Sequence, residues 1–331
     1  MEPLDVYGIC NPLIDLLSQV PDDFLQERKL EKNRMYLVPL EQQQTLLMAL
    51  AAEKHPVEFA AGGSGANTMI GIAQLGGRAA FTGKIGRDEH GRIYREKLEG
   101  QGVEACMGTG EGITGSSLIL VTEDASRTMN TYLGMCQELS PEDLDLDALK
   151  RSQVLYVTGY LWDTEPQKEA VRFALQEARN NSIRIALSLS DPFCVNRHQL
   201  DFQELLEQVD LVFANQEEAF LLTETAHSQD ALDLLSARTE TVVMTLGANG
   251  ALVRTKGETF YIDPMKVRVE DTTGAGDAFA AGYLYGMTHG HTPLESGRIA
   301  SSLAAAVIEQ IGPRFLGNAR ARVHHDLGNL P

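Results

Sequence analysis

Short apolar runs alternate with longer amphipathic stretches through the middle of the chain. Val154–Val157, Ile183–Leu189, Leu211–Phe213 and Val242–Leu246 are too short to be helices, and between them apolar residues recur at helical spacing over 164–180, 198–208, 215–222 and 229–237. Strand followed by helix, repeated, predicts βαβ units around a parallel sheet. The flanks differ. Residues 116–121 and 127–133 read as two strands joined by the turn-forming Glu123-Asp124-Ala125-Ser126, which predicts a hairpin and a candidate lid. A polar, extended segment over 12–38 precedes a helical pattern at 40–54 and can supply further strands to the same small sheet. From 274 to 310 the chain is helical again with Gly and Ala prominent, which suits closely packed helices. After Gly312 the periodicity is lost, which predicts a loose tail.

Composition narrows the class. A chain of 331 residues, 43% hydrophobic and 22% charged, can bury a large core, so neither a disulfide-stapled miniprotein nor a disordered tail fits. The formal charge of −18 repels nucleic-acid phosphates and anionic membranes, while a small anionic ligand stays compatible because a helix N-terminus or a divalent cation reverses the potential locally. Cys10, Cys106, Cys136 and Cys194 are scattered without metal or disulfide spacing, and a reducing compartment suits them. The opening MEPLDVYGICNPLIDLL lacks the marks of a secretory signal, and no run of about 18 apolar residues occurs. A cytoplasmic location is expected.

The most informative stretch is Asp271-Thr272-Thr273-Gly274-Ala275-Gly276-Asp277, leading directly into the apolar pattern AFAAGYLYGM. Glycines at a helix entrance allow close approach of a ligand, and first-turn amides lack intrahelical partners. The amides of Gly274, Ala275 and Gly276, with the helix dipole, can stabilise charge on a transferring phosphoryl group. Asp277 faces the same place and can take the proton of an attacking hydroxyl. Ordinary helix capping is the competing explanation of each residue taken singly. Walker A spacing is missing, because Gly83-Lys84 is followed by Ile85 and residue 78 is Arg, so a P-loop is excluded. His289, His291, His324 and His325 lack convincing metal-ligand partners.

That heptapeptide resembles the second signature of the ribokinase-like (PfkB) carbohydrate and nucleoside kinases. Gly62-Gly63-Ser64-Gly65-Ala66-Asn67 resembles the first, and Gly83-Lys84-Ile85-Gly86-Arg87-Asp88-Glu89-His90-Gly91 fits the I-G-x-D-x-x-G run between them. Asn215-Gln216-Glu217-Glu218 resembles the N-x-x-E element, and Thr245-Leu246-Gly247-Ala248-Asn249-Gly250 the T-x-G-x-x-G loop. Asn11-Pro12-Leu13-Ile14-Asp15, Thr158 to Trp162, and Ser190 to Phe193 are similar to segments of the adenosine-kinase branch. Thr273 departs from it, since many eukaryotic members carry Asn there, and residues 12–38 share only scattered positions.

The resemblance implies one ribokinase-like α/β domain over 1–331: a central, mostly parallel sheet flanked by helices, with a small discontinuous β lid from about 12–38 and 113–135. It implies ATP-dependent phosphorylation of the 5′-hydroxyl of a nucleoside, adenosine first, with Asp277 as base and Gly274, Ala275 and Gly276 as the anion hole. Arg127 matches a lid arginine that reaches the transferring phosphate. Asn11, Asp15, Gly63 and Asn67 would hold the sugar, with Tyr160 or Trp162 against the base. Thr245, Gly247 and Gly250 would face ATP, and Asn215 with Glu218 would organise Mg²⁺. A monovalent cation is a further candidate cofactor, and the chain is expected as monomer or homodimer. A PfkB-type sugar kinase and a non-catalytic nucleoside-binding protein of the same fold are the alternatives.

Overall fold

The computed structural model describes residues 2–124 and 126–328; Ala125 of the predicted turn lies outside them. A nine-stranded sheet runs in the order 258–262, 251–255, 241–245, 211–215, 184–188, 152–158, 4–9, 79–82 and 104–105. The last seven are mutually parallel, and the first two form an antiparallel hairpin at one edge. This is the mostly parallel α/β sheet that the alternation predicts, and it has the architecture that the resemblance implies. The apolar runs have a direct cause: Val154 and Tyr156 enter one core with Met69, Phe81 and Phe213, while Leu155 and Val157 enter a second with Tyr7, Leu175 and Val212. Strands buried on both faces lose the polar alternation of a half-exposed sheet.

Helix limits differ from the periodicity at two places. The helix expected over 198–208 occupies Pro192–Leu205, because the Asp191 side chain accepts from Cys194 N at 2.6 Å and Pro192 sits at the first helical position. The predicted loose tail contains the helix Ala319–Leu327, started by Asn318, which accepts from Ala321 N at 2.9 Å. Asp326 fastens that helix by accepting from Ser302 Oγ at 2.7 Å and Arg322 Nε at 2.8 Å. Small residues let Ala275–Thr288 pack closely: a Cβ at Gly282 would lie 2.5 Å from Ala300 Cα of Pro293–Ile308, and one at Gly71 would lie 2.7 Å from Ala281 Cβ. Among the described residues, no helix is long and apolar enough to cross a membrane.

A separate five-stranded sheet has the order 35–37, 127–132, 116–121, 14–19 and 58–61. The predicted hairpin is present, with Arg127 opposite Val121 and Tyr132 opposite Ser116. The fifth strand, Glu58–Ala61, comes from outside the two predicted segments, and residues 22–27 within the first form a short helix. One face carries Leu16, Leu118 and Leu120 under the helices Asp22–Glu27 and Leu40–Ala52. Gln43 pins the longer helix to it, donating to Ser116 O at 3.1 Å and Asn130 O at 2.9 Å. By strand parity, the opposite face carries Asp15, Ser117, Thr131 and Arg127.

Candidate active site

Asn11, Tyr160, Asp191, Asn215 and Thr245 all lie at or just beyond the C-terminal ends of parallel strands. Open α/β sheets bind ligands at that edge. Thr245 and Asn11 follow strands four spacings apart, about 19 Å at the usual interstrand distance. The sheet order therefore sets Thr245 and Asn11 at two separated positions along one edge of the sheet.

The N-terminal motif and the helix Ala275–Thr288 converge at the Asn11 end. Gly62 passes directly under the Asp15 carboxylate, and a Cβ there would overlap it. Gly63 takes φ +94° at the start of Ser64–Gln74, where a Cβ would also fall 2.6 Å from Asn11 O. The chain then presents two donors to Asp277: Ser64 Oγ to Oδ1 at 2.5 Å and Asn67 Nδ2 to Oδ2 at 2.9 Å. Burial pushes the Asp277 carboxyl up to about 6, against the opposing effects of Ser64, Asn67 and Arg314. Asp15 is pushed up to about 7, also by burial, opposed by Arg314 and Arg127 and reinforced by the charge of Asp277. Two carboxylates thus share a desolvated space, and one of them titrates where a general base is useful.

The turn before Asp277 is held from the other side. Gly274 takes φ +76°, and a Cβ there would overlap Pro313 O. Its neighbours divide: Ala275 N–H closes the turn on Thr272 O at 3.2 Å, whereas a Cβ at exposed Gly276 would meet nothing within 4 Å. The expectation that Ala275 offers its amide outward is corrected by that bond. Asp271 accepts from Thr273 N at 3.0 Å, Thr273 Oγ1 at 2.7 Å and Gly312 N at 2.8 Å, and it forms an ion pair with Arg127 of the small sheet. Burial opposes its ionisation, but the hydrogen bonds from Gly312 and Thr273 and the Arg127 charge outweigh it and hold Asp271 below the ordinary carboxyl range.

Other predicted residues sit apart from this group or are engaged internally. Asn11 is buried, with Nδ2 on Tyr160 O at 3.3 Å and Oδ1 accepting from Gln167 Nε2 at 2.6 Å. Tyr160 is part-buried, its hydroxyl 3.4 Å from Ser190 O. Trp162 is packed in the interior: it is 3% exposed and meets Phe202 edge-on at 5.8 Å in the second core, which corrects its reading as a base-contacting ring. Asn215 and Glu218 form a reciprocal capping box, in which Glu218 accepts from Asn215 N at 2.9 Å and Asn215 Nδ2 at 2.6 Å. Burial, with Asp191 and Glu217 nearby, pushes Glu218 up to about 7. Gly250, at φ +81°, is a hairpin glycine whose Cβ would overlap Ile262 O, whereas Gly247, at φ +58°, opens to space beside Thr245.

Two residues escaped sequence reasoning. Ser64 lies inside a recognised motif but looks like any small residue at a helix start. Arg314, in the segment read as a loose tail, donates Nε to Asn67 Oδ1 at 2.8 Å and interacts with Asp15, Asp277 and Tyr94. The only available signal was its place two residues after Gly312 in an otherwise apolar loop.

The pattern of the pfkB family of carbohydrate kinases matches residues 31–319. The chain is 38% identical to the adenosine kinase from Sinorhizobium meliloti, covering 98% of this chain and 99% of that one with a TM-score of 0.90. It is 37% identical to a probable sugar kinase from Rhizobium etli, again covering 98% and 99%, with a TM-score of 0.92. The adenosine kinase of Saccharomyces cerevisiae is 27% identical over 333 aligned positions, spanning 95% of this chain and 96% of the relative.

Proposed function

The chain belongs to the pfkB family of carbohydrate kinases, and from that premise we propose that it transfers the γ-phosphoryl group of ATP to the 5′-hydroxyl of a nucleoside, adenosine first. The observation that carries this reading is the convergence of Ser64, Asn67 and Asp277 beside Asp15 and the Gly274–Gly276 turn. Asp277, half-protonated near pH 6 and ionised above it, accepts the hydroxyl proton as the oxygen attacks. The first-turn amide of Gly276 and the helix dipole oppose the charge that develops on the phosphoryl oxygens. Asp15 accepts two sugar hydroxyls, and the bare backbone of Gly62 leaves room for its carboxylate in that position. Arg127 brings positive charge from the small sheet, which acts as a lid and excludes water. Phosphoryl transfer relies on positioning and electrostatics, and these groups supply both.

The nucleotide lies toward Thr245 and Gly247, where the turn is open. Glu218 and Asn215 would hold Mg²⁺ through its waters: each Glu218 oxygen keeps a lone pair beyond the bond it accepts from Asn215, and nearby Asp191 adds to the repulsion that positive charge would relieve. The metal, when bound, neutralises phosphate charge.

Adenosine is favoured by the two similar adenosine kinases, each of which aligns with nearly the whole chain. The similar probable sugar kinase supports the second reading, a free sugar as acceptor. An ADP-release assay across adenosine, other nucleosides, ribose and fructose phosphate decides between them. Turnover with adenosine is expected. Turnover confined to sugars selects the sugar kinase, and binding without turnover selects a non-catalytic protein.

A further inference from the structure

Asn67 is gripped from both ends. Its Nδ2 donates to Asp277 Oδ2 at 2.9 Å, and its Oδ1 accepts from Arg314 Nε at 2.8 Å. A flipped amide would set its oxygen against the carboxylate and its NH₂ against the guanidinium, two repulsive contacts in place of two hydrogen bonds. The guanidinium therefore dictates which end of Asn67 meets Asp277. Arg314 is itself fixed, because Gln310 Nε2 donates to its carbonyl and Gln74 Nε2 donates to the next carbonyl, of Phe315, at 2.9 Å. Gly312 N, two residues earlier, is bound to Asp271 at 2.8 Å, so the loop that carries Arg314 is tied to the signature turn as well.

Charge gives Arg314 a second task. Asp15 and Asp277 raise each other's cost of ionisation, yet the proposed transfer uses both as anions. Arg314 is partly buried, interacts with both, and remains charged because a guanidinium does not deprotonate in proteins. The other titratable groups that face Asp277 are Cys10, Tyr156 and Tyr160, and those that face Asp15 include Arg127 and Tyr94. Burial pushes the thiol and the phenols up, so they stay neutral.

We propose that Arg314 is a positioning residue of the phosphotransfer: through Asn67 it sets the orientation of Asp277, and its charge allows Asp277 and the small-sheet Asp15 to be anionic together. The catalytic part of this statement rests on the function proposed above. The hydrogen-bonded relay does not.

The test compares the parent with Arg314→Met, Arg314→Lys and Arg314→Gln. In ligand-free protein, the titration of Asp277 is followed by carbon NMR of aspartate-labelled protein, with the signal assigned by its loss in Asp277→Asn. The midpoint is expected to rise by about one pH unit or more in Arg314→Met and in Arg314→Gln, and to stay near the parent's in Arg314→Lys, which keeps the charge. With ATP and acceptor, the acid limb of kcat/KM moves with that midpoint, and kcat drops about tenfold in all the Arg314 variants, because even lysine cannot reproduce the Nε geometry. An unmoved midpoint in Arg314→Met overturns the proposal. If that variant does not fold, an unmoved midpoint in Arg314→Gln, which loses the charge but keeps an amide donor, does the same. Should the parent phosphorylate no acceptor, the proposed function falls while the NMR midpoint still decides the role of Arg314.

Discussion

Ser64 Oγ donates to Asp277 Oδ1 at 2.5 Å, joining the first turns of two helices that lie 213 positions apart in sequence. The bond lowers the proton affinity of a carboxyl that burial raises, so removing it raises that affinity. Ser64→Ala is therefore expected to move the acid limb of kcat/KM to higher pH and to reduce kcat by about tenfold near neutrality. Steady-state kinetics from pH 5 to 9, about the range that brackets such a base, would show both changes, and an unaltered profile would remove Ser64 from this role.

The pH dependence of the parent follows from the same group. As the proposed base, Asp277 would act only when ionised, so turnover should fall as pH drops through about 6. Stability runs the other way. Asp15, Asp277 and Glu218 are pushed up to about 7, 6 and 7 in the fold, against ordinary values of 3.8, 3.8 and 4.5. Across that window the folded protein holds protons that the unfolded chain has lost, so stability falls as pH rises. Asp15→Asn removes one such group, and its melting temperature should exceed the parent's at pH 8 and converge on it near pH 4. A melting difference independent of pH would contradict this.

Much of this was legible in the sequence for a physical reason. Parallel strands buried on both faces leave continuous apolar runs, and glycines needed at Gly63 and Gly274 leave motifs, so the sheet and the helix entrances could be read directly. Glu58–Ala61 left no such mark, because a short edge strand carries too few positions for alternation. Arg314 was hidden because its partner Asn67 is 247 positions away and its loop has no periodicity. Trp162 misled for the opposite reason: a lone aromatic after a strand has the same local appearance whether it enters a cleft or a core.

Gly62 tests the acceptor side. A methyl group there overlaps the Asp15 carboxylate, which must swing away from its position in the proposed acceptor site. Gly62→Ala is expected to raise the acceptor KM by about tenfold or more, with a smaller change in kcat, because the lost contact is one of binding. Equal KM values for parent and variant would show that Asp15 does not hold the acceptor.

Arg127 and Asp271 connect the small sheet to the signature turn. Removing the arginine takes away positive charge from the phosphate path, whereas Asp271→Asn frees the arginine but loosens Thr273 and Gly312. Arg127→Gln should lower kcat by about 10²-fold with its fold intact, and Asp271→Asn should lower the melting temperature as well. Near-parent kcat in Arg127→Gln, measured beside a thermal melt, would place the arginine outside the reaction.

Glu218 governs the proposed metal end. Glu218→Gln keeps one acceptor oxygen for Asn215 but removes the charge, so half-saturation by Mg²⁺ should shift upward by about tenfold at fixed ATP. A titration curve that overlays the parent's would exclude Glu218 from metal binding.

The most direct measurement is the steady-state turnover of adenosine by the parent and by Asp277→Asn, with adenosine binding followed calorimetrically in both. A fall in kcat of at least about 10²-fold, with binding within a few-fold of the parent's, is the expected result for a base held between Ser64 and Asn67. Near-parent turnover in Asp277→Asn would contradict it.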